Sequence, residues 1–113
     1  MTTYSLGDVV LVPFPFTDQS AIKKRPAIIV SSNAYNRQCP DIVIMAVTSR
    51  MRWADYYGDV VISDWQQAGL LKPSVIKPVF TTLEKDMVIK PLGQISDSDR
   101  EALTSILREI LGE

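Results

Sequence analysis

The stretch "DIVIMAVTS", residues 41 to 49, indicates what kind of fold this chain adopts. The residues from Ile42 to Val47 are all apolar, and most of them are Ile or Val, which favour β-strands. The run ends in two hydroxyl residues, Thr48 and Ser49, and Arg50 follows them. The stretch therefore predicts a buried β-strand whose last residues reach the surface.

Short apolar runs of the same kind lie on both sides of this stretch and predict the rest of a sheet. The runs are "DVVLVPF" (8–14), "PAIIVSS" (26–32) and "GDVVIS" (58–63), with two weaker ones at "SVIKPVFTTL" (74–83) and "DMVIKPLG" (86–93). Proline cannot donate to a strand ladder, so Pro13, Pro15, Pro78 and Pro91 are expected at strand ends, edges or bulges. Five or six short strands with this proline usage favour a small barrel.

The C-terminal segment "SDSDREALTSILREILG" has a different period. Its apolar residues recur every three or four positions, which predicts an amphipathic helix. Either Ser96 with Asp99 or Ser98 with Glu101 can form its N-terminal capping pair. A second, short helix is predicted at "SDWQQAG" (63–69), with Gly69 as its stop. The fold class is therefore mainly β (α+β): a small barrel of five to six strands, a short helix and a C-terminal amphipathic helix.

The bulk composition fits a single domain over residues 1–113, since 46% of the residues are hydrophobic. There is no apolar run of about 18 residues and no signal-peptide pattern, so we expect a cytoplasmic protein without a membrane segment. The one cysteine, Cys39, cannot form an intramolecular disulfide. Because the chain has no histidine, Cys/His and Ser/His catalytic pairs and ordinary zinc sites are excluded, and no cofactor is expected.

Charge is distributed unevenly along the chain, although the formal net charge is only −1. Residues 1–95 contain ten Lys or Arg against eight Asp or Glu, and residues 96–113 contain two against five. The body is mildly basic and the tail acidic. This asymmetry is only a weak indication of nucleic-acid binding.

The segment "KKRPAIIVSS", residues 23 to 32, places cations at the start of a predicted strand. Pro26 biases the residue before it toward extended backbone, so Arg25 is expected at the mouth of the strand. A planar guanidinium held there suits the oxygens of a phosphate and can stabilise charge that grows during phosphoryl chemistry. The alternative is that Lys23, Lys24 and Arg25 form an ordinary solvated loop.

Hydroxyl and aromatic side chains extend this pattern toward a nucleic-acid ligand. Thr48 and Ser49 end one strand and can share a sheet edge with Arg25, although a strand-end Ser/Thr turn is equally compatible with them. The following segment, "SRMRWADYYGD" (49–59), interleaves Arg50 and Arg52 with aromatic rings, namely Trp53, Tyr56 and Tyr57. Cations follow a phosphate backbone and rings stack on unpaired bases, so a single-stranded ligand fits. The rings can instead cover the core.

The order of these motifs resembles the PemK/MazF family of type II toxins over nearly the whole chain. The matching segments are "GDVVLVPFPFTD", "KKRPAIIVSS" with Asn33 shortly after, "VIMAVTS", "GLLKPSVIK", "TLEK" and "LGQIS", and "PFPFTD" is similar to the PemK-like branch. One departure follows "SVIK", where this chain has Pro78, Val79 and Phe80 and the family often has Gln or an ionic residue.

The resemblance implies an SH3-like barrel, a homodimer and a metal-independent endoribonuclease that cleaves single-stranded RNA, often at short preferred sequences. It also implies a cognate antitoxin whose C-terminal segment occupies the RNA groove. The catalytic arginine of the family's "RP" motif falls on Arg25, and the catalytic threonine of its "TS" motif falls on Thr48. The candidate RNA-binding residues are Ser20, Lys23 and Lys24 in the loop "FTDQSAIKK" (16–24), followed by Ser49, Arg50, Arg52 and Trp53.

The reaction implied by this resemblance needs no histidine, because RNA supplies its own nucleophile, the 2′-hydroxyl. Arg25 would bind the phosphate oxygens and protonate the leaving 5′-oxygen, and Thr48 would orient the phosphate or the 2′-hydroxyl. The expected products are a 2′,3′-cyclic phosphate and a 5′-hydroxyl end, formed at a modest rate that rises with pH.

Two other functions are compatible with the same barrel. One is a toxin that cuts nothing and inhibits a protein target such as DNA gyrase. The other is a plain structural SH3-like domain, in which the cations, hydroxyls and rings are unrelated surface features. The pairing of Arg25 with Thr48 favours the nuclease.

Overall fold

The computed structural model describes residues 3–14, 23–50 and 56–112. Most of the regular structure in these residues is β-sheet, with a short helix α1 and a longer C-terminal helix α2. The elements are β1 (Asp8–Phe14), β2 (Lys23–Ile29), α1 (Asn33–Gln38), β3 (Asp41–Thr48), β4 (Val60–Ile62), β5 (Ser74–Glu84), β6 (Lys90–Gln94) and α2 (Asp97–Ile110), with a short 3-10 turn at Lys85–Met87. Of the predicted site residues, Ser20, Arg52 and Trp53 lie outside the described residues, as does Pro15.

The six strands form one antiparallel sheet in the order β4-β5-β3-β2-β1-β6, which curls into a half-barrel. The predicted fold class is thereby confirmed, with six strands. The stretch that begins at Asp41 forms β3, which pairs with β2 on one side and with β5 on the other. Because β3 is an interior strand of a sheet that packs on both faces, its sequence is apolar without alternation.

Two of the prolines lie where the ladders are interrupted, as predicted. Ala46 pairs with Lys77 but Met45 pairs with Phe80, so Pro78 and Val79 form a bulge in β5. Pro91 is in the edge strand β6, directly before a second shift of register. The departure from the family pattern at Pro78 therefore coincides with an irregularity of the backbone, where no ladder donor is needed.

Two buried clusters fill the two faces of the sheet. One contains Val9, Ile28 and Met45 and packs against α2 and the segment 63–70 through Leu103 and Trp65. The other lies on the opposite face and consists of Val10, Val12, Ala27, Ile29, Ile42 and Ile44. Alternate residues of the same strands supply the two clusters, because successive side chains point to opposite faces. Neither α1 nor α2 is long and apolar enough to cross a membrane.

The N-terminus of α2 shows the first of the two predicted capping pairs. The hydroxyl of Ser96 accepts a hydrogen bond from the backbone N–H of Asp99 at 3.2 Å. The buried carboxylate of Asp99 accepts hydrogen bonds from the backbone N–H groups of Ser63 and Asp64, each at 3.0 Å. Asp99 therefore fastens the segment after β4 to the start of α2.

The prediction of a short helix at residues 63–69 is wrong, because this segment is a series of turns. Its backbone hydrogen bonds run from Ala68 to Asp64, from Gly69 to Gln66 and from Leu70 to Trp65. These bonds span four, three and five residues, so the constant four-residue spacing of an α-helix is absent from them. The predicted stop at Gly69 is correct, with a φ of +82°. The short helix of this fold is instead α1, which begins after Ser32, whose hydroxyl accepts from the backbone N–H of Tyr35 at 3.1 Å.

Candidate functional site

A groove of about 460 Å³ lies at the end of the sheet where β2 begins and β3 ends. Its walls come from these two strand ends, from segment 69–74, and from β1 and β6. Six cationic side chains and no described Asp or Glu line the groove, which we call the basic groove: Lys23, Lys24, Arg25, Arg50, Lys72 and Lys90. Half of the chain's 12 Lys and Arg residues therefore converge on one concavity, which focuses a positive potential there.

The register of β2 and β3 brings Arg25 and Thr48 to the same end and the same face of the sheet. The last pair of this ladder is Ala27 with Ala46. Two residues further along each strand, Arg25 and Thr48 lie opposite each other, and an even step keeps both side chains on the face of the two alanines. Both residues are half-buried and line the basic groove.

Arg25 carries a buried donor that is unusual for its surroundings. Its Nε is buried and has no hydrogen-bond partner within the described part of the chain. A buried donor of this kind is uncommon, because it loses its bond to water and gains nothing in return. An anionic oxygen entering the groove would supply the missing acceptor.

Thr48 forms the strand-end turn that was one of the two sequence interpretations. Its Oγ1 accepts a hydrogen bond from the backbone N–H of Arg50 at 3.2 Å. A hydroxyl that accepts one bond can still donate its own proton. The turn therefore fixes the direction of the Thr48 hydroxyl and leaves its donor function available for a ligand.

The other predicted RNA-binding residues within the described chain also reach this groove. Lys23, Lys24, Ser49 and Arg50 all line it and are exposed. Together with Arg25 and Thr48, these are all the predicted site residues that the structure describes. One short surface thus collects residues from two strands that are separated in sequence by the whole of α1.

Tyr56 and Tyr57 belong to the aromatic segment of the prediction but do not line the basic groove. The ring of Tyr56 lies 4.9 Å from the Nζ of Lys77, measured to the ring centroid. The hydroxyl of Tyr57 donates to the carboxylate of Glu109 at 3.1 Å. This hydrogen bond, and then the negative charge of Glu109, raise the pKa of Tyr57 above its ordinary value.

Two groove cations, Lys72 and Lys90, were not among the sequence-predicted site residues. Lys72 follows Gly69 in a segment that touches β6, where a Cβ on Gly69 would lie 2.0 Å from the backbone oxygen of Leu92. A signal was present in the sequence, because Lys72 and Lys90 each precede a proline, as Arg25 does. That signal is not sufficient alone, since Lys77 also precedes a proline and lies outside the groove.

The floor of the basic groove is apolar. Leu11, Pro26, Val47 and Leu92 contribute to it, and Leu71 stands at its rim with 93% of its surface exposed. A cationic rim over an apolar floor accommodates the two parts of a nucleotide, the charged phosphate and the flat base.

Comparison with known families shows where this arrangement belongs. The family model of the PemK-like, MazF-like toxins of type II toxin-antitoxin systems matches residues 5–111. The chain belongs to this family. The resemblance that the motifs indicated is therefore confirmed over nearly the whole sequence.

Several solved structures share the fold of this chain. The chain matches MazF from Deinococcus radiodurans with a TM-score of 0.76 and 20% identity, covering 100% of both chains. It matches an endoribonuclease from a mycobacterial species, solved in complex with its cognate antitoxin, with a TM-score of 0.75 and 23% identity, covering 99% of this chain and 96% of that one. It also matches a MazE-MazF structure from Deinococcus radiodurans with a TM-score of 0.75 and 21% identity, covering 98% of each chain. A comparison with curated protein sequences gave no match.

Proposed function

We propose that this chain is a metal-independent endoribonuclease toxin that cleaves single-stranded RNA selectively in the basic groove. The observation that carries the proposal is the buried Nε of Arg25, which has no hydrogen-bond partner among the described residues. Arg25 lies across the strand ends from Thr48. Family membership and the endoribonuclease of the mycobacterial complex support the reaction class.

In the proposed reaction the 2′-oxygen of RNA forms a bond to the adjacent phosphorus and the bond from phosphorus to the 5′-oxygen breaks. Arg25 holds the phosphate oxygens and supplies a proton to the departing 5′-oxygen, while the 2′-proton passes to solvent base. Thr48 donates to the phosphate or orients the 2′-hydroxyl. The products are a 2′,3′-cyclic phosphate and a 5′-hydroxyl end, and the rate rises with pH because the chain offers no histidine as a base.

The test is cleavage of a long single-stranded RNA in the presence of a chelator. Wild type is compared with Arg25→Ala, Thr48→Ala and a control, Arg37→Ala, which removes an exposed cation outside the groove. We expect wild type and the control to cleave the RNA, and both groove variants to lose cleavage while their circular dichroism spectra stay unchanged. The 5′-hydroxyl ends of the products should be labelled directly by polynucleotide kinase. Products with a 3′-hydroxyl and a 5′-phosphate would contradict 2′-hydroxyl attack. No cleavage of varied RNAs would favour a toxin that binds a protein target.

We also propose a cognate antitoxin whose C-terminal segment blocks the basic groove, and a homodimer acting in the cytoplasm. The solved toxin complexes with antitoxin support the first partner. Exposed apolar side chains on β4 and β5, namely Val61, Val79 and Phe80, support the second. Sedimentation of the purified chain tests the dimer, and protection of RNA by an acidic antitoxin peptide tests the groove.

A further inference from the structure

We propose that Lys72 and Lys90 form a second phosphate-binding subsite, which holds a non-scissile phosphate of the same RNA strand. The inference rests on the proposed function, because it assumes that single-stranded RNA occupies the basic groove. The groove then binds two phosphates, one at Arg25 and the other on the opposite side of the groove, at Lys72 and Lys90. Both lysines act as positioning residues and contact no reacting atom.

The sheet register sets the distance between the strand that carries Lys90 and the strand that carries Arg25. Lys90 pairs with Leu11, and Leu11 pairs on its other side with Pro26, so these residues form one row across β6, β1 and β2. Neighbouring strands lie about 4.8 Å apart, so the Cα atoms at the two ends of the row are roughly 10 Å apart. The side chain of Leu11 lies in this row between Lys90 and Pro26. Arg25 precedes Pro26, so its side chain points to the opposite face of the sheet, and Lys90 and Arg25 reach the groove from the two sides of the sheet end.

Lys72 joins the side of Lys90 through a tight backbone contact. Segment 67–69 lies directly against β6, since a Cβ added to Gly93 would lie 2.7 Å from the backbone oxygen of Ala68. Gly69 makes the reciprocal approach to Leu92. Close packing of this kind holds the following residues, including Lys72, beside the strand that carries Lys90. Both side chains are exposed and line the groove.

The charges of these two lysines are available to a ligand. Each precedes a proline, which restricts its backbone to extended conformations. Neither forms an ion pair within the described part of the chain. Lys77 provides the contrast, because it also precedes a proline but its Nζ pairs with Asp59 at 2.8 Å. Among the described residues, the lysine outside the groove is neutralised and the two inside it have no acidic partner.

A phosphate contact of this kind has a defined signature. A cation that neutralises a phosphate releases a counterion, so the binding constant falls as salt is added. On a single strand, the slope of the logarithm of the binding constant against the logarithm of salt concentration is about −0.7 for each neutralised phosphate. Removing one such lysine should weaken binding regardless of sequence and lower this slope. Because the phosphate is not the one that reacts, KM should rise while kcat stays the same.

The binding experiment uses the purified full chain and a single-stranded oligonucleotide with 2′-O-methyl sugars, which offers no free 2′-hydroxyl. Kd is measured as a function of salt for wild type, Lys72→Gln, Lys90→Gln, the double variant and Lys85→Gln. Lys85 is the matched control, because its replacement removes the same charge outside the groove lining. Because the two lysines hold one phosphate, we expect the magnitude of the slope to fall by about 0.7 in the double variant, by part of that in each single variant, and not in the control.

A second measurement identifies the phosphate. Each linkage of the oligonucleotide is replaced in turn by an uncharged methylphosphonate. At one non-scissile linkage, the replacement should weaken binding to wild type by about 3- to 10-fold and have little further effect on Lys90→Gln. Such non-additivity is not expected from a lysine that only stabilises the fold.

The outcomes separate this proposal from the nuclease. If the lysine variants lower the slope but wild type never cleaves RNA, the subsite stands and the nuclease fails. If wild type cleaves RNA and both lysine variants keep the wild-type slope and KM, the subsite is overturned and the nuclease stands. A wild type that binds no single strand overturns the subsite, and so does a fall in kcat at constant KM.

Discussion

Arg25 and Thr48 face each other across the ends of two adjacent strands, two residues beyond the pair formed by Ala27 and Ala46. This relationship depends on the register of β2 against β3. A slip of one residue would turn one of the two side chains to the other face of the sheet. The buried pairs of Ile28 with Met45 and Ile29 with Ile44 specify the register, because both faces of these strands are packed. Core packing thereby sets the geometry of the candidate site.

Arg25→Met tests whether this arginine is needed for RNA cleavage and contributes nothing to the stability of the fold. The substitution keeps an aliphatic stem, removes an Nε that has no partner in the described part of the chain, and relieves repulsion within the groove. We expect RNA cleavage to fall by at least about 100-fold and the free energy of unfolding to stay the same or rise by about 0.5–1 kcal/mol. Urea denaturation and a cleavage assay measure the two effects. A loss of stability above about 2 kcal/mol would assign Arg25 a structural role.

Thr48 can be tested with two conservative substitutions. Thr48→Ser keeps the hydroxyl, whereas Thr48→Val keeps the shape and removes it. We expect the serine variant to cleave RNA within about 10-fold of wild type and the valine variant to lose about 100-fold or more. Because the Arg50 N–H that loses its acceptor belongs to an exposed residue, the stability cost of the valine variant should stay below about 1 kcal/mol. Equal activity of the two variants would argue against a role for the hydroxyl.

Asp99→Ala tests the fastening between α2 and the segment after β4. It removes the acceptor of two backbone N–H groups, at Ser63 and Asp64, and leaves them near a buried position. We expect the free energy of unfolding to fall by about 2–4 kcal/mol. The control is Asp97→Ala, which removes the same charge from an exposed residue in the first turn of α2 and should cost about 0.3–1 kcal/mol. Similar losses in the two variants would mean that only the helix dipole matters.

Gly69→Ala tests the contact that places Lys72 beside β6. A Cβ at this position would collide with the backbone oxygen of Leu92 at 2.0 Å, in addition to the strain of a positive φ. Gly112 has nearly the same φ, +84°, and a Cβ added there would meet no atom within 4 Å, so Gly112→Ala isolates the strain. We expect the control to cost about 1–2 kcal/mol at most and Gly69→Ala to cost clearly more. Thermal unfolding of both variants measures the difference.

Tyr57 provides a pH-dependent prediction. Its pKa is raised first by the hydrogen bond to Glu109 and then by the charge of that carboxylate, so Glu109→Gln should lower the pKa toward the ordinary value of 10.0. Because a raised pKa favours the protonated phenol in the folded chain, this contact loses its stabilisation as pH rises above the unfolded value. NMR titration of the Tyr57 ring measures the change. Glu101→Gln on the same helix should leave the pKa unchanged; an equal shift there would exclude the local contact.

The sequence predicted the elements that depend on local pattern. Five of the strands were recognisable because runs with Ile and Val form them, whereas β6 (Lys90–Gln94) contains neither residue and was recognised from the run that leads into it. The cap of α2 was recognisable because Ser96 and Asp99 have capping spacing. Segment 63–69 was misassigned for a tertiary reason. Its last residues, Ala68 and Gly69, pack backbone against backbone on Leu92 and Gly93 of β6, and the local sequence does not reveal this contact.

By itself, the sequence determined the strands, the C-terminal helix, the family and the residues that match its motifs, because these follow from side-chain periodicity and short-range order. Only the tertiary structure decided that Lys72 and Lys90 join the groove of Arg25, and that Lys77 is neutralised by Asp59. All of these cations precede prolines and are alike in sequence. The curl of the sheet and the packing of Gly69 against Leu92 determine which of them meet, since charges distant in the chain converge only when the backbone folds.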